Sequence, residues 1–129
     1  MEDAMAEQLG YDFMAAAFAV YHELGVGFTE DIYQEALECE LSSRQIAHVA
    51  QPEIGLFYKG LTMIKRLRPD LVVGNLIIVE LKATTSLAPE HEAQLFNYLK
   101  ATKKRVGYLV NYGCRDRLHW KRFIRTQKD

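Results

Sequence analysis

The period of the apolar positions changes along the chain, and each change marks a boundary between elements. From Ala4 to Glu23 the sequence is rich in Ala, Phe and Leu, and Phe13, Ala17, Val20 and Leu24 recur at helical spacing, which predicts a first helix with one apolar face. Gly25 and Gly27 end it. Thr29 is placed to cap a second helix reaching to about Gln45. Its first turn carries Glu30 and Asp31, where negative charge suits the helix dipole, and its apolar stripe is Tyr33, Leu37 and Leu41.

After Pro52 the texture shifts to short apolar or alternating segments. Ile54 to Tyr58, Leu61 to Leu67, Leu71 to Val73 and Leu76 to Leu81 read as successive antiparallel strands, punctuated by Lys59-Gly60 and Gly74-Asn75. Pro89 suits the first turn of a third helix, with Leu95, Tyr98 and Leu99 facing inward and an end near Thr102. Arg105 to Tyr112 is a buried-looking strand, and Leu118 to Ile124 alternates as a last one. The order helix, helix, a run of strands, helix, two strands predicts an α/β fold, a mixed sheet flanked by helices on a single core. The third helix would cross over between parallel strands. The chain, 1–129, reads as one domain, with an N-terminal helix in 1–24 and the core in 28–125. No internal repeat or linker interrupts it.

Composition agrees with this picture, at 49% hydrophobic and 26% charged residues, the usual mixture of a globular protein. The net charge of -1 hides two poles. From Met1 to Leu56 there are eleven acidic residues against Arg44 alone, whereas from Lys100 to Asp129 ten Lys or Arg stand against Asp116 and Asp129. A basic C-terminal third would suit a phosphate backbone, with Lys104, Arg105, Arg117, Lys121 and Arg122 as contacts and Tyr108, Tyr112 and Trp120 interleaved. Two solvated faces that pair with each other explain the same charges, and strand alternation would place some of those aromatics in the core. Two cysteines, Cys39 and Cys114, make a disulfide scaffold unnecessary and fit a reducing, cytoplasmic setting. No basic leader or run of roughly 18 apolar residues points to secretion or a membrane. No Cys/His spacing suggests structural zinc.

The most informative stretch is Leu76 to Lys82. Four apolar residues, Leu76 to Val79, put side chains on both faces of a strand before Glu80 and Lys82 appear, and such a strand lies inside a sheet. Alternation then projects Glu80 and Lys82 from one face while Leu81 points the other way. A structural ion pair there would cost several kcal/mol per ion in desolvation. A hairpin at Gly74-Asn75 brings Asp70 beside Glu80, and two carboxylates so placed suit a cation such as Mg²⁺ or Mn²⁺, which needs only one or two protein carboxylates and keeps several waters. Lys82 would be left for a water or a phosphate. Glu30 shares the stripe of Tyr33, Leu37 and Leu41 and is expected to face inward. Gln94 shares a face of the third helix with His91, Leu95 and Tyr98. It reads either as a site residue or as a core amide bonded to the sheet, while His91 reads as a satisfied helix-start histidine.

Pro69-Asp70 followed by Glu80-Leu81-Lys82 resembles the signature of the PD-(D/E)xK nuclease superfamily. Gly27-Phe28-Thr29-Glu30-Asp31-Ile32-Tyr33 resembles the motif of its GxxExxY family, and His91 to Leu95 through Tyr98-Leu99 is similar to that family's later segment. The resemblance spans roughly Ala16 to Ile124. It implies a restriction-endonuclease-like α-β-β-β-α-β core and a Mg²⁺- or Mn²⁺-dependent nuclease acting on nucleic acid, with DNA the expected substrate. It also implies Asp70, Glu80 and the Leu81 backbone carbonyl as metal ligands and Lys82 positioning the attacking water or steadying the phosphorane. Glu30 and Gln94 would assist. The competing expectations are a non-catalytic nucleic-acid- or protein-binding module that keeps the fold, and an interaction protein that forms homodimers through its apolar first helix.

Overall fold

Residues 2–126 are described by the computed structural model, in the order α1 (Glu2–Leu24), α2 (Glu30–Ser43), β1 (His48–Ala50), β2 (Ile54–Tyr58), β3 (Leu61–Leu67), β4 (Leu71–Val73), β5 (Ile77–Lys82), α3 (Pro89–Thr102), β6 (Val106–Asn111) and β7 (His119–Ile124). Five strands form one sheet in the order β1-β4-β5-β6-β7. Only the β5–β6 pair is parallel. Parallel neighbours need a long crossover, and α3 supplies it, so the mixed sheet flanked by helices expected from the sequence is the fold observed.

Strand alternation divides the core into two layers. Leu71, Val73, Ile77, Val79 and Leu81 face α1 and α2, packing with Phe13, Ala17, Val20, Tyr33, Leu37 and Leu41. Val72, Ile78 and Leu109 face α3 and meet Leu95, Tyr98 and Leu99. The apolar face of α1 is therefore used inside the fold. No described helix is long and apolar enough to cross a membrane.

The structure departs from the predicted strands in one respect. The segments Ile54–Tyr58 and Leu61–Leu67 do not join the central sheet; they pair with each other as a separate two-stranded ribbon. The sheet edge is taken instead by β1, three residues too short to show a pattern. The cause lies in two bends. Residues 48–58 and 61–73 are the arms of one long hairpin, whose pairing breaks between Ala50↔Leu71 and Ile54↔Leu67. Pro52 and Pro69 occupy the break, where each lacks a ladder N–H, and Gln51 adopts a left-handed φ of 48° while donating to the Asp70 carbonyl at 3.0 Å. Counted through the bend, α2, the two arms, β5, α3 and β6 follow the α-β-β-β-α-β order.

Two further details differ from the sequence reading. Thr29 is the N-cap residue of α2, but its hydroxyl donates to the Asp31 carboxylate and not to the helix backbone. The helix also stops at Ser43, ahead of Gln45, which takes a positive φ of 60°.

The end of β6 is tied firmly to the helices and to the loop after β5. Tyr112 stacks on Tyr33 with ring centroids 4.5 Å apart and nearly parallel planes, and its hydroxyl donates to the Ala17 carbonyl at 3.1 Å. Tyr33 donates in turn to the Gly25 carbonyl at 2.5 Å. Next along the chain, Gly113 passes so close to Thr84 that a Cβ would collide with the Thr84 backbone. Backbone has little freedom to yield, so Gly113→Ala is expected to cost about 2 kcal/mol of stability. The midpoint of urea unfolding measures this; an unchanged midpoint would mean the loop is free to move.

Candidate active site

Extending the β4–β5 register beyond Leu71↔Val79 sets Asp70 directly opposite Glu80, at the point where β4 leaves the sheet. The backbone fixes both carboxylates. Asp70 Oδ2 accepts the Leu81 N–H at 2.7 Å, and Glu80 Oε1 accepts the Asp70 N–H at 2.8 Å. Each side chain thus commits one oxygen and leaves the other without a hydrogen bond among the described residues. Glu80 and Lys82 share the face of Ile78, which is the α3 side of the sheet. No described ion pair includes Lys82, so a Glu80–Lys82 salt bridge does not account for these charges.

The leftover charge is energetically awkward. Glu80 is only 4% exposed, and its pKa is pushed up from 4.5 to about 8, first by burial and then by the Asp70 carboxylate. Burial also raises Asp70, against the opposing pull of the Leu81 N–H and the Lys82 charge. Like charges on facing residues of neighbouring strands repel.

Glu30 and Gln94 sit differently from expectation. Glu30 is exposed, because it occupies the first turn of α2 where the stripe has not yet met the sheet. From there its Oε2 accepts the Ala83 N–H at 3.4 Å, and its charge acts on both Asp70 and Glu80. Gln94 is also exposed; its Nε2 donates to the Tyr98 hydroxyl at 2.9 Å. Tyr98 is buried, and its pKa is raised by that burial and next by the charge of Glu80, so Gln94 bonds a tyrosine that feels the carboxylate charge. His91 Nδ1 accepts the Ala88 N–H at 3.0 Å, the satisfied helix-start role read from the sequence.

The Leu81 carbonyl follows from strand geometry. A strand residue presents its N–H and C=O to the same edge. The Leu81 N–H points to Asp70, whereas the Lys82 carbonyl accepts Tyr112 N–H from β6 at 2.8 Å. The Leu81 carbonyl therefore points to the Asp70 side, beyond the end of β4.

Two polar residues that sequence reasoning did not single out hold this arrangement in place. Gln34, buried on α2, donates to the Asp70 carbonyl at 2.8 Å. Asn111, fully buried, accepts Thr84 N–H and Gly113 N–H, both at 3.0 Å, and donates to the Thr84 carbonyl at 2.9 Å. Asn111 left a signal, as the one polar side chain closing the apolar run Val106 to Val110; Gln34 left none beyond its place beside Tyr33.

The basic residues of the C-terminal third do not form one surface. Lys104 donates to the Asn75 carbonyl at 2.8 Å and Arg105 bonds Asp3 at 2.8 and 2.9 Å, both before β6 begins and so at the opposite end of the sheet from Glu80. Arg117 pairs with Asp116, and Lys121 with Glu92 at 2.7 Å on the α3 side. Arg122 lies across from Tyr108, on the α1 side. The acidic pole answers the basic one at Asp3 and Arg105. Tyr108 and Tyr112 are core residues, and Trp120 lies against Tyr108 with centroids 6.0 Å apart.

The turn before β7 also gathers Cys114, Asp116 and His119, whose ligand atoms lie within 4.8 Å of one another, a cluster that linear spacing did not suggest. Their polar atoms already have partners. His119 bonds Asp116 at 2.9 Å, and the Cys114 thiol donates to the Thr85 carbonyl at 3.4 Å.

A carboxylate pair at the end of a central strand, with a lysine two residues on, defines the class as nuclease-like. Residues 7–123 match the family model of the PD-(D/E)XK nuclease superfamily, and the chain belongs to that superfamily. No curated protein matches the sequence. Among solved structures it is similar to SSO0001, at 24% identity and a TM-score of 0.59 over 74% of this chain and 50% of that one. The chain thus spans about half the length of SSO0001. It is also similar to the alkaline exonuclease LHK-Exo from Laribacter hongkongensis, at 14% identity and a TM-score of 0.55, covering 88% of this chain and 69% of that one. LHK-Exo in complex with dAMP gives 16% identity and a TM-score of 0.56, over 78% and 57%. These likenesses establish the shared fold.

The raised Glu80 pKa sets the sign of a pH effect. In metal-free protein the folded state keeps a proton on Glu80 that the unfolded state has released above pH 4.5. The Glu80 contribution to stability is therefore fully present at and below that pH and is lost as the pH rises towards about 8. Glu80→Gln should flatten this slope and be the more stable protein at pH 8, by about 2 kcal/mol. Denaturant unfolding in a chelating buffer at several pH values measures both curves; parallel curves would contradict it.

Proposed function

We propose that this protein is a divalent-metal-dependent nuclease of the GxxExxY family that hydrolyses phosphodiester bonds in DNA. The observation that carries the reading is the pair of facing carboxylates, Glu80 buried and Asp70 partly so, each with one oxygen anchored on backbone and one uncommitted. This donor set fits Mg²⁺ or Mn²⁺: hard oxygen ligands, few in number, with excess negative charge that a cation would offset. Asp70, Glu80 and the Leu81 carbonyl would hold the ion, and Glu30 at the mouth of α2 would add a more distant carboxylate. A bound ion of this kind lowers the pKa of its water and neutralises charge on the scissile phosphate.

The remaining work falls to the chain's own groups. Lys82, on the same face as Glu80 and half-buried, keeps its ammonium for the attacking water or a phosphate oxygen. Gln34 and Asn111 fix the backbone on either side, at the Asp70 carbonyl and at Thr84, so that the carboxylates and Lys82 keep their relative positions. Gln94 and Tyr98 border the α3 side. The setting we propose is the reducing cytoplasm, where the exposed thiol of Cys39 stays reduced.

With labelled linear DNA and Mg²⁺ or Mn²⁺, cleavage is expected from the wild-type protein. Asp70→Ala, Glu80→Ala and Lys82→Ala should each lower the rate about 100-fold or more. Mn²⁺ titration should show binding that Asp70→Ala abolishes and Lys82→Ala retains. Cleavage that survives all three substitutions, or Mn²⁺ binding indifferent to Asp70, would sink the reading.

A further inference from the structure

The ribbon of β2 and β3 stands outside the central sheet and meets the core through Leu67, yet it carries the most exposed apolar side chain of the described residues. Ile64 is 96% exposed and Phe57 70%. The pairing Phe57↔Thr62 puts Phe57 diagonally beside Ile64 on one face. Large apolar side chains held in water mark an interaction surface.

Charge identifies the occupant. Between Gln51 and Pro69 the chain has Lys59, Lys65, Arg66 and Arg68 against Glu53 alone. Arg68 pairs with Glu53 at 2.6 Å, while no described ion pair includes Lys59, Lys65 or Arg66. In the C-terminal third, by comparison, Arg105, Arg117 and Lys121 are held in ion pairs. An apolar wedge flanked by unopposed cations suits a polyanion with apolar faces to cover. A nucleic-acid strand offers both, since bases stack on apolar and aromatic side chains while phosphates take the cations. An intact duplex hides its base faces, so the strand must be unpaired.

Position links the ribbon to the carboxylates. β3 runs through Arg68 and Pro69 directly into Asp70, and β4 begins opposite the end of β5 that bears Glu80. The β3 arm joins the sheet at the end where the carboxylates lie, while Pro52 and Ile54 line a cleft with Val72, Thr102 and Lys104 on the α3 side. Its tip is a tight turn with positive φ at Lys59 and Gly60, 50° and 81°, the geometry that keeps a two-residue hairpin straight and projecting.

We propose that the β2–β3 ribbon is a substrate finger that holds an unpaired nucleic-acid strand, with Phe57 and Ile64 against base faces and Lys59, Lys65 and Arg66 on phosphates, and directs it to Asp70 and Glu80. The inference rests on the hydrolytic reading of that site and names its substrate as single-stranded or frayed nucleic acid.

Binding without metal separates the two. In chelating buffer, fluorescence anisotropy of labelled single-stranded DNA, single-stranded RNA and blunt duplex DNA is measured against the full-length protein. The wild type should bind a single strand at least ten-fold more tightly than the duplex. Phe57→Ala combined with Ile64→Ala should weaken single-strand binding about ten-fold, and Lys65→Ala with Arg66→Ala should reduce its salt dependence. All four side chains lie in solvent, so the unfolding midpoint and Mn²⁺ binding should not change. Preference for DNA or for RNA identifies the strand, and either supports the finger. Equal binding by the Phe57→Ala, Ile64→Ala variant overturns the proposal. So does absence of single-strand binding by the wild type, or conversion of a dimer to a monomer by that variant, which would make the ribbon a contact between copies. Single-strand binding lost in the variant, but with no cleavage by the wild type in any metal, would uphold the finger and refute the nuclease reading instead.

Discussion

Where β4 leaves the sheet at Asp70, the Leu81 N–H on β5 loses its strand partner, and the Asp70 carboxylate takes it up at 2.7 Å; in return the Asp70 N–H goes to Glu80 at 2.8 Å. An orphaned backbone donor in a buried sheet costs as much as a lost hydrogen bond, so this exchange completes the ladder as it fixes the side chains. Strand ending and site geometry are one event. The carboxylates cannot drift apart without unmaking the end of the sheet, and Gln34 pins the same turn from the α2 side through the Asp70 carbonyl.

The arrangement is costly to the fold. Two facing carboxylates, one nearly out of solvent, carry raised pKa values because burial and mutual repulsion both disfavour their charge. What tolerates this is the packing around them: apolar layers on both faces of β5 and the stacked Tyr33 and Tyr112 that lock the α helices to the neighbouring strand. Perturbed carboxylates of this kind are characteristic of sites tuned for chemistry.

Charge is divided between fold and surface in a way that the linear sequence disguises. The acidic first half meets the basic last third through Asp3 and Arg105, and Lys121 is taken by Glu92 of α3, which breaks up that third as a continuous phosphate track. On the bent hairpin, inconspicuous in a count of charges, Lys59, Lys65 and Arg66 take part in no described ion pair. Their exposure follows from the bends at Pro52 and Pro69, which turn the hairpin out of the sheet.

Local pattern determined a good deal by itself. The positions of α1, α2, α3, β5 and β6 follow from periodicity and from Pro and Gly boundaries, because these elements bury one face or two and their sequences must repeat accordingly. Asp70, Glu80 and Lys82 were legible for the same reason: charges inside an apolar strand have few benign explanations, and alternation fixes which of them share a face. Tertiary structure alone decided the rest. Whether Ile54–Tyr58 and Leu61–Leu67 joined the sheet depended on a bend that no period encodes. Glu30 lost its expected burial because a helix stripe says nothing of where the sheet ends beneath it. Gln34 and Asn111 became supports through partners 36 and 27 residues away. Periodicity reports which side of an element meets the core; the partners that a polar group finds there, and the point at which a strand stops, are set by contacts between segments distant in the chain.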